Sequence, residues 1–330
     1  MRAERVVDIA GASIGGAARW AAELDGFVAA RRAPIEVIGR GQRLTPGWLV
    51  AREHRCLGAR LAVAANNAAF LHSGRYGKVL LRNALHFLYP HEAHLLARMP
   101  RGFCAQIRLV RGLLRRADSI VVPTTAMAER VRYHLPSGQH RIVVRPHPVT
   151  VTGSRQPADE PFILVPVLPA PYKNLVPQVA ALLAATERAA RPMAVRITAW
   201  PGDLPAEMAT HPRVDARGPL PYAELATLWR SATAAFYPSA VEAFGYPLAE
   251  ARAHGIPVLA ADTAQNREIA GPALAGYRLD DPDSLATAVR ELPSPEPDPT
   301  HFDRDAYFRW LFELPVDAPH TVLERHGVST

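Results

Sequence analysis

The chain has 330 residues, 48% of them hydrophobic and 21% charged, a globular composition with length enough for two domains. Such a composition excludes disordered, collagen-like and disulfide-scaffold classes, and two cysteines, Cys56 and Cys104, make neither a disulfide framework nor a metal cluster. The net charge of +7 is unevenly placed: residues 1–150 carry 23 basic against 9 acidic residues, and residues 151–330 carry 15 against 22. A basic first half points to an anionic partner such as a membrane surface, a phosphorylated lipid or a nucleic acid. Free use of arginine, which supplies 36 of the 38 basic residues, is the simpler alternative, but it does not explain why the excess stops near residue 150. No apolar run is long enough to span a membrane, and the start MRAERVVDIAGAS lacks a signal peptide's apolar core. A cytoplasmic, reduced protein is expected.

Short apolar runs alternate with amphipathic stretches, the pattern of repeated β–α units and a parallel sheet. The first unit reads as a strand Val6–Ile9, a loop through Gly15 and Gly16, and a helix from about Ala17 to Ala30. Strands follow at Lys78–Arg82, Ser119–Val122 and Arg141–Val144, with a helix starting near Thr124 or Thr125, either of them a suitable N-cap. Residues 146–161 (PHPVTVTGSRQPADEP) read as an inter-domain linker. The pattern then restarts: strand Phe162–Leu168, helix Asn174–Ala190, strand Met193–Trp200, helix Tyr222–Ser231, strand Ala234–Tyr237, helix Pro247–His254 and strand Ile256–Ala260. A Pro-alternating spacer, Pro293–Pro299, precedes a short amphipathic helix around Asp303–Leu314. The expected domains are 1–150 and 151–300, both Rossmann-like, with 301–330 a C-terminal helix and tail able to pack back on the first domain. A ligand would sit in the cleft between two such domains, at the carboxyl ends of both sheets.

The segment FYPSAVEAFGYPLAEARAHGIPVLAAD, residues 236–262, carries the most chemistry. A strand ends at Pro238-Ser239, a loop carries Glu242, Gly245 permits close backbone approach, and Pro247 opens a helix that stops at Gly255. The N–H groups around Gly245–Leu248 would stand at the positive end of the helix dipole, a seat for phosphate. Glu242 and Glu250 flank that seat. Carboxylates there do not bind the phosphate; they suit hydroxyls on either side of it, such as those of a sugar and a ribose.

This E-x7-E arrangement around Phe244-Gly245-Tyr246-Pro247 resembles the signature of the family 4 retaining glycosyltransferases. The resemblance implies the α/β GT-B architecture, two Rossmann-like domains facing across a cleft, with a nucleoside-diphosphate sugar held mainly by the second. It implies Glu242 on the donor hexose, Glu250 on the ribose, and the backbone of Ala243, Phe244, Gly245 and Tyr246 on sugar hydroxyls and diphosphate. Pro171-Tyr172-Lys173-Asn174 resembles the family's turn carrying a diphosphate lysine, Gly15-Gly16 its glycine loop, and Gly218–Leu225 its stretch beside the base. His86 lies where family members often keep a cleft residue near the reacting sugar; a structural histidine is an equally good reading. Residues 117–136 and 141–149 resemble the closing strand–helix–strand of the family's first domain. One departure matters: many members carry an arginine six residues before the lysine, and this chain has Val167.

The resemblance implies a metal-independent, retaining hexosyltransferase with Glu242, Lys173 and His86 as catalytic candidates and no cofactor beyond the nucleotide-sugar co-substrate. His91 and His94, three apart, lack further ligands, so no metal site is expected. The expected acceptor is anionic or lipid-linked, in glycolipid or polysaccharide assembly at the inner face of the membrane, with peripheral membrane contact and no nucleic acid. Arg108, Arg111, Arg115 and Arg116 recur at helical spacing among Ile107, Leu109, Val110, Leu113 and Leu114, a stretch suited to an anionic surface or to an ordinary surface helix. Alternatives are a glycosyltransferase acting on small natural products, a sugar-nucleotide epimerase, and a non-catalytic binding subunit of the same fold.

Overall fold

The computed structural model describes residues 3–100, 102–136, 141–239 and 241–315. Among them, twelve short strands form two six-stranded sheets, parallel throughout. The first contains β1 (Arg5–Asp8), β2 (Ile35–Ile38), β3 (Leu61–Ala64), β4 (Tyr76–Leu80), β5 (Ser119–Val122) and β6 (Arg141–Val144), in the order β2-β1-β3-β4-β5-β6. The second contains β7 (Phe162–Val165), β8 (Ala194–Ile197), β9 (Val214–Ala216), β10 (Ala234–Tyr237), β11 (Val258–Ala261) and β12 (Leu274–Tyr277), in the order β12-β11-β10-β7-β8-β9. Central strands such as β5, β7 and β10 are buried along their whole length, as a sheet covered on both faces requires.

The crossover helices are α1 (Gly15–Arg31), α2 (Pro46–Arg55), α3 (Gly102–Leu114) and α4 (Thr125–His134) in the first half, then α5 (Leu175–Arg188), α6 (Ala206–Ala209), α7 (Tyr222–Ser231), α8 (Tyr246–His254), α9 (Ala264–Ala270) and α10 (Pro282–Arg290). A last helix, α11 (Arg304–Phe312), crosses back to the first sheet. Side-chain caps sit on α2, α4, α9, α10 and α11, supplied by Thr45, Thr124, Thr263, Asp281 and Asp303. The N-termini of α1, α5, α7 and α8 have no side-chain cap.

Several boundaries differ from the sequence expectation. The first helix begins at Gly15 rather than Ala17, so the two glycines form its first turn and not a loop before it. The strand expected at Lys78–Arg82 lies two residues earlier, at Tyr76–Leu80, which leaves Arg82 beyond its carboxyl end. Phe162–Leu168 and Met193–Trp200 shorten to four residues each, because the apolar run continues into loops that are themselves buried at Val167 and Ala199. The linker and the spacer are not loose. Val149 N–H donates to Phe302 O at 3.0 Å, Thr150 is held by Glu23, and Arg252 pairs with Asp298.

The helix α11 is fastened to the first domain at both ends. Arg31 pairs with Asp305, and Lys78 donates to Leu311 O at 2.9 Å while standing 3.1 Å from Glu313. Lys78 is one of only two lysines in the chain and is buried, so its charge serves the end of this helix, where carbonyls lack partners. Between these ends Tyr307, Phe308, Leu311 and Phe312 complete the core around Trp20, Leu24 and Phe27. The tail, residues 316–330, lies outside the described residues. Phe308, fully buried with ring centroids 5.4 Å from Trp20 and 5.2 Å from Phe27, should cost about 3–5 kcal/mol when replaced by alanine, read as a lower urea midpoint.

Candidate active site

The uncapped ends of α1, α5 and α8 meet at the carboxyl edges of the two sheets. Gly245, the N-cap of α8, has φ +82°, and a Cβ there would fall 2.8 Å from the Tyr237 hydroxyl at the end of β10. Only glycine fits. A Cβ on Gly16 would lie 3.0 Å from the Tyr246 ring, and one on Gly15 3.6 Å from Leu168, so the start of α1 packs against the second domain. Thr124, which caps α4, also donates its hydroxyl to Ala243 O at 3.0 Å and so pins the loop between Glu242 and Gly245. Next to it, Glu268 of α9 accepts from both the Thr125 N–H and its hydroxyl.

Lys173 and Glu242, 69 positions apart in sequence, stand 3.3 Å apart and are both partly exposed. Lys173 ends a short 3-10 turn that runs through Asn174, in the left-handed region at φ +50°, into α5. Tyr172 and Tyr237 border this pair, and burial, with the Glu242 charge second, raises both phenols above their ordinary range. The Tyr237 hydroxyl is buried without a hydrogen-bond partner among the described residues. The pair can hold hydroxyls on its carboxylate and an anion on its ammonium.

Glu250 lies one helical turn further along α8, 3% exposed. Burial raises its pKa, against the Arg19 guanidinium, which favours the charged form. Arg19 Nε donates to Glu250 Oε1 at 2.9 Å, and the Tyr222 hydroxyl stands 3.3 Å from Oε2. Arg19 reaches the second domain from α1, so its contact joins residues 231 positions apart. Neither Arg19 nor Tyr222 stood out in the sequence as a site residue. The signal that could have found Tyr222 is its place at the first position of α7, in the segment 218–225.

Val167 is buried in the core of the second domain, its N–H and carbonyl both bonded to the Thr198 hydroxyl at 2.8 Å. Besides Arg19, a second arginine of the first domain stands near the seam. Arg82 lies 5.1 Å over the Trp20 ring and donates to Ala65 O, while its Nε and Nη1 are sealed from solvent without a partner among the described residues. Burial disfavours its charge, and the groups around it are Tyr246, Tyr307 and His147 rather than carboxylates.

His86 is placed differently from a cleft residue. It is 1% exposed, stacks on Phe103 at 5.3 Å, and neither ring nitrogen has a hydrogen-bond partner among the described residues. Burial, with the Arg111 charge second, pushes its pKa down to about 4. Of the two readings of the basic stretch on α3, the structure has the ordinary surface helix with its apolar face on the core. Ile107, Val110, Leu113 and Leu114 face the core, Arg111 turns inward to His86 O at 2.8 Å, and Arg115 and Arg116 lie past the helix end. Arg108 and Leu109 are left exposed on the helix itself. Among the described residues no three or more His, Cys, Asp or Glu side chains gather as metal ligands, and no helix is long and apolar enough to cross a membrane.

Residues 208–308 match the model of the family described as glycosyl transferases group 1. That segment contains Glu242, Gly245 and Glu250 but not Lys173, Gly15, Gly16 or His86. Solved structures of similar fold include WaaG, a glycosyltransferase involved in lipopolysaccharide biosynthesis, at 14% identity over 94% of this chain and 97% of that one, with a TM-score of 0.60. Sucrose-phosphate synthase from Thermosynechococcus elongatus gives 15% identity over 93% and 95%, with a TM-score of 0.58. The lipopolysaccharide outer core galactosyltransferase WaaB gives 15% over 94% and 97%, with a TM-score of 0.57. A search of curated protein sequences finds no match. The architecture is GT-B: two Rossmann-like α/β domains, each built on a six-stranded parallel sheet.

His86→Phe should keep the fold, since the ring makes no hydrogen bond that phenylalanine would lose. The folded pKa lies below the ordinary 6.5, so the unfolded chain takes up the proton first on acidification, and stability falls as pH drops from about 6.5 towards 4. The variant lacks that loss, up to about 3 kcal/mol, which urea melts at pH 7 and pH 4.5 would reveal as a smaller acid destabilisation than in the parent.

Proposed function

We propose that the chain is a retaining glycosyltransferase of the family 4 type, moving a hexose from a nucleoside-diphosphate sugar to a hydroxyl acceptor without a metal ion. The observation that carries the reading is the Glu242–Lys173 contact at 3.3 Å beside the uncapped α8 N-terminus, inside the segment that matches the group 1 family. Expelling a nucleoside diphosphate puts negative charge on the leaving oxygen and positive charge on the anomeric carbon. Lys173, the α8 end and the start of α1 are fixed positive groups for the first, and such preorganised electrostatics is often the largest catalytic term. Glu242 holds sugar hydroxyls and faces the growing positive charge. Glu250 takes the ribose, and the backbone of Ala243 to Tyr246 takes hydroxyls and diphosphate.

Among the described residues, no side chain beside Glu242 is arranged as a nucleophile with its own base. Transfer therefore proceeds on the front face: the acceptor oxygen bonds to the anomeric carbon on the side the diphosphate leaves, and the departing phosphate oxygen takes the acceptor's proton. Closure of the domains excludes water from this step. The epimerase alternative needs acidic groups from both domains, and the first domain offers only 9 acidic residues in 150.

A screen of nucleotide sugars by slow donor hydrolysis tests the class, and the anomeric configuration of the product, read by NMR, tests retention. Glu242→Gln is near-isosteric and removes both the charge facing the sugar and the partner of Lys173. With the donor that the screen selects, kcat/KM should fall at least about 100-fold, roughly 3 kcal/mol of transition-state stabilisation. Near-normal turnover of the folded variant removes Glu242 from the site.

The acceptor is proposed to be anionic or lipid-linked, met at the inner face of a membrane by the basic first domain. Because the apolar side of α3 is spent on the core, this contact rests on charge with little insertion. The protein should bind vesicles containing anionic lipid at low salt and leave them as ionic strength rises, since surface charge is screened within about 10 Å at 0.1 M. Indifference to such vesicles at low salt points instead to a soluble acceptor such as a natural product.

A further inference from the structure

Glu250 is held by the first domain. Besides its 2.9 Å bond to Glu250, Arg19 donates from Nη2 to the Tyr222 hydroxyl at 2.7 Å and to Thr150 O at 3.2 Å. Its guanidinium lies 3.9 Å from the centre of the Tyr222 ring, and Nη1 stands 2.5 Å from Glu23. Glu23, 1% exposed, accepts from both the Thr150 N–H and its hydroxyl at 2.6 Å. One guanidinium thus joins α1, the connection between the domains, and the α7–α8 pair.

We propose that Arg19 occupies the place of the ribose on Glu250, so that Arg19 and the ribose hydroxyls of a nucleoside diphosphate compete for one carboxylate and Arg19 sets donor affinity. The proposal rests on the ribose reading of Glu250 given above. The local charges make the exchange cheap. When Glu250 lets go, Arg19 keeps Glu23, four residues on along the same helix, so no buried cation is stranded. Glu250 receives hydroxyl donors in return and stays satisfied, with the Tyr222 hydroxyl still at hand. Removing the guanidinium leaves Glu23 and Glu250 as two buried carboxylates without their shared cation, an arrangement that favours whatever brings hydroxyls to Glu250.

The test is titration calorimetry of UDP, GDP and ADP, and of the matching nucleosides, with the full chain and Arg19→Met, a side chain of similar length without donors. The variant should bind the preferred nucleotide at least about 5-fold more tightly than the parent. The gain should be equal for nucleoside and diphosphate, because the ribose is common to both. A lesion that merely loosened the structure would weaken binding. If Arg19→Met does not fold by circular dichroism, Arg19→Lys, which keeps the charge but not the forked donors, should show a smaller gain in the same direction. Unchanged or weaker binding by the variant, with binding by the parent intact, overturns the competition alone. Failure of the parent to bind any of the three nucleotides overturns the ribose reading and the competition with it.

Discussion

Parallel strands impose the constraint from which the site follows. A parallel pair needs a crossover, and where the crossover is a helix, as in all but the β3–β4 connection here, that helix starts at the carboxyl edge of its sheet. With both sheets parallel throughout, each domain presents a row of helix N-termini along one edge. Where Thr45, Thr263, Asp281 or Asp303 caps a helix, its N-terminal field is partly spent on a side chain. At α1, α5 and α8 no side chain among the described residues caps the end, and Gly16, Lys173 and Gly245 stand there instead. Uncapped N–H groups beside a cation are the chemical consequence of that topology together with those residues.

The seam between the domains is polar in part, beside the apolar contacts of Val241, Ala243 and Tyr246 with the first domain. Glu23, Arg19, Glu250, Tyr222 and Thr150 satisfy one another there, and Thr124 with Ala243 and Thr125 with Glu268 add a second set of contacts. Buried ion pairs contribute little net stability, because desolvation offsets most of the attraction. They are directional, however, and fix the angle at which the groups meet. Helix α11, by contrast, is fastened by the apolar contacts of Tyr307, Phe308, Leu311 and Phe312 with Trp20 and Phe27.

Local chemistry was legible in the sequence, and pairing across the chain was not. Helix α7 and strands β5, β6 and β10 lie where their residues place them, because apolar runs bounded by Pro, Gly or a capping Thr leave few alternatives. The α8 start was legible for the same reason: Gly245 and Pro247 are punctuation with a fixed meaning. By contrast, β2 (IEVI) and β3 (LAVA) are four residues long, one at the sheet edge and the other half alanine, too short for a period to stand out. The role of His86 could not be read either, since a histidine in RNALHFLYPHE looks the same whether it lines a cleft or stacks on Phe103. Arg19 was invisible for a plainer reason: its partners outside α1 lie 131, 203 and 231 positions away.

The charge asymmetry acquires a meaning from the same contacts. The first domain has few carboxylates, and most are committed: Glu4 to Arg60, Asp8 to Arg52, Glu23 to Arg19, Asp25 to Arg40, Glu92 to Arg130, and Glu53 to the N–H groups of residues 71–73. Asp8 and Arg52 are buried together, with Trp48 and Asn66 completing the carboxylate's hydrogen bonds. Acidic charge spent in this way cannot soften the field of exposed arginines such as Arg108, Arg115 and Arg116. The basic excess is therefore a property of the surface, and it acts at a distance on an approaching anion rather than holding the fold together. Inside the molecule arginine does different work. Its planar fork reaches several acceptors at once, as Arg19 does with Glu250, Tyr222, Thr150 and Glu23, which a lysine's compact ammonium could not span. Lys173 is the complement: a single compact point charge, 3.3 Å from Glu242.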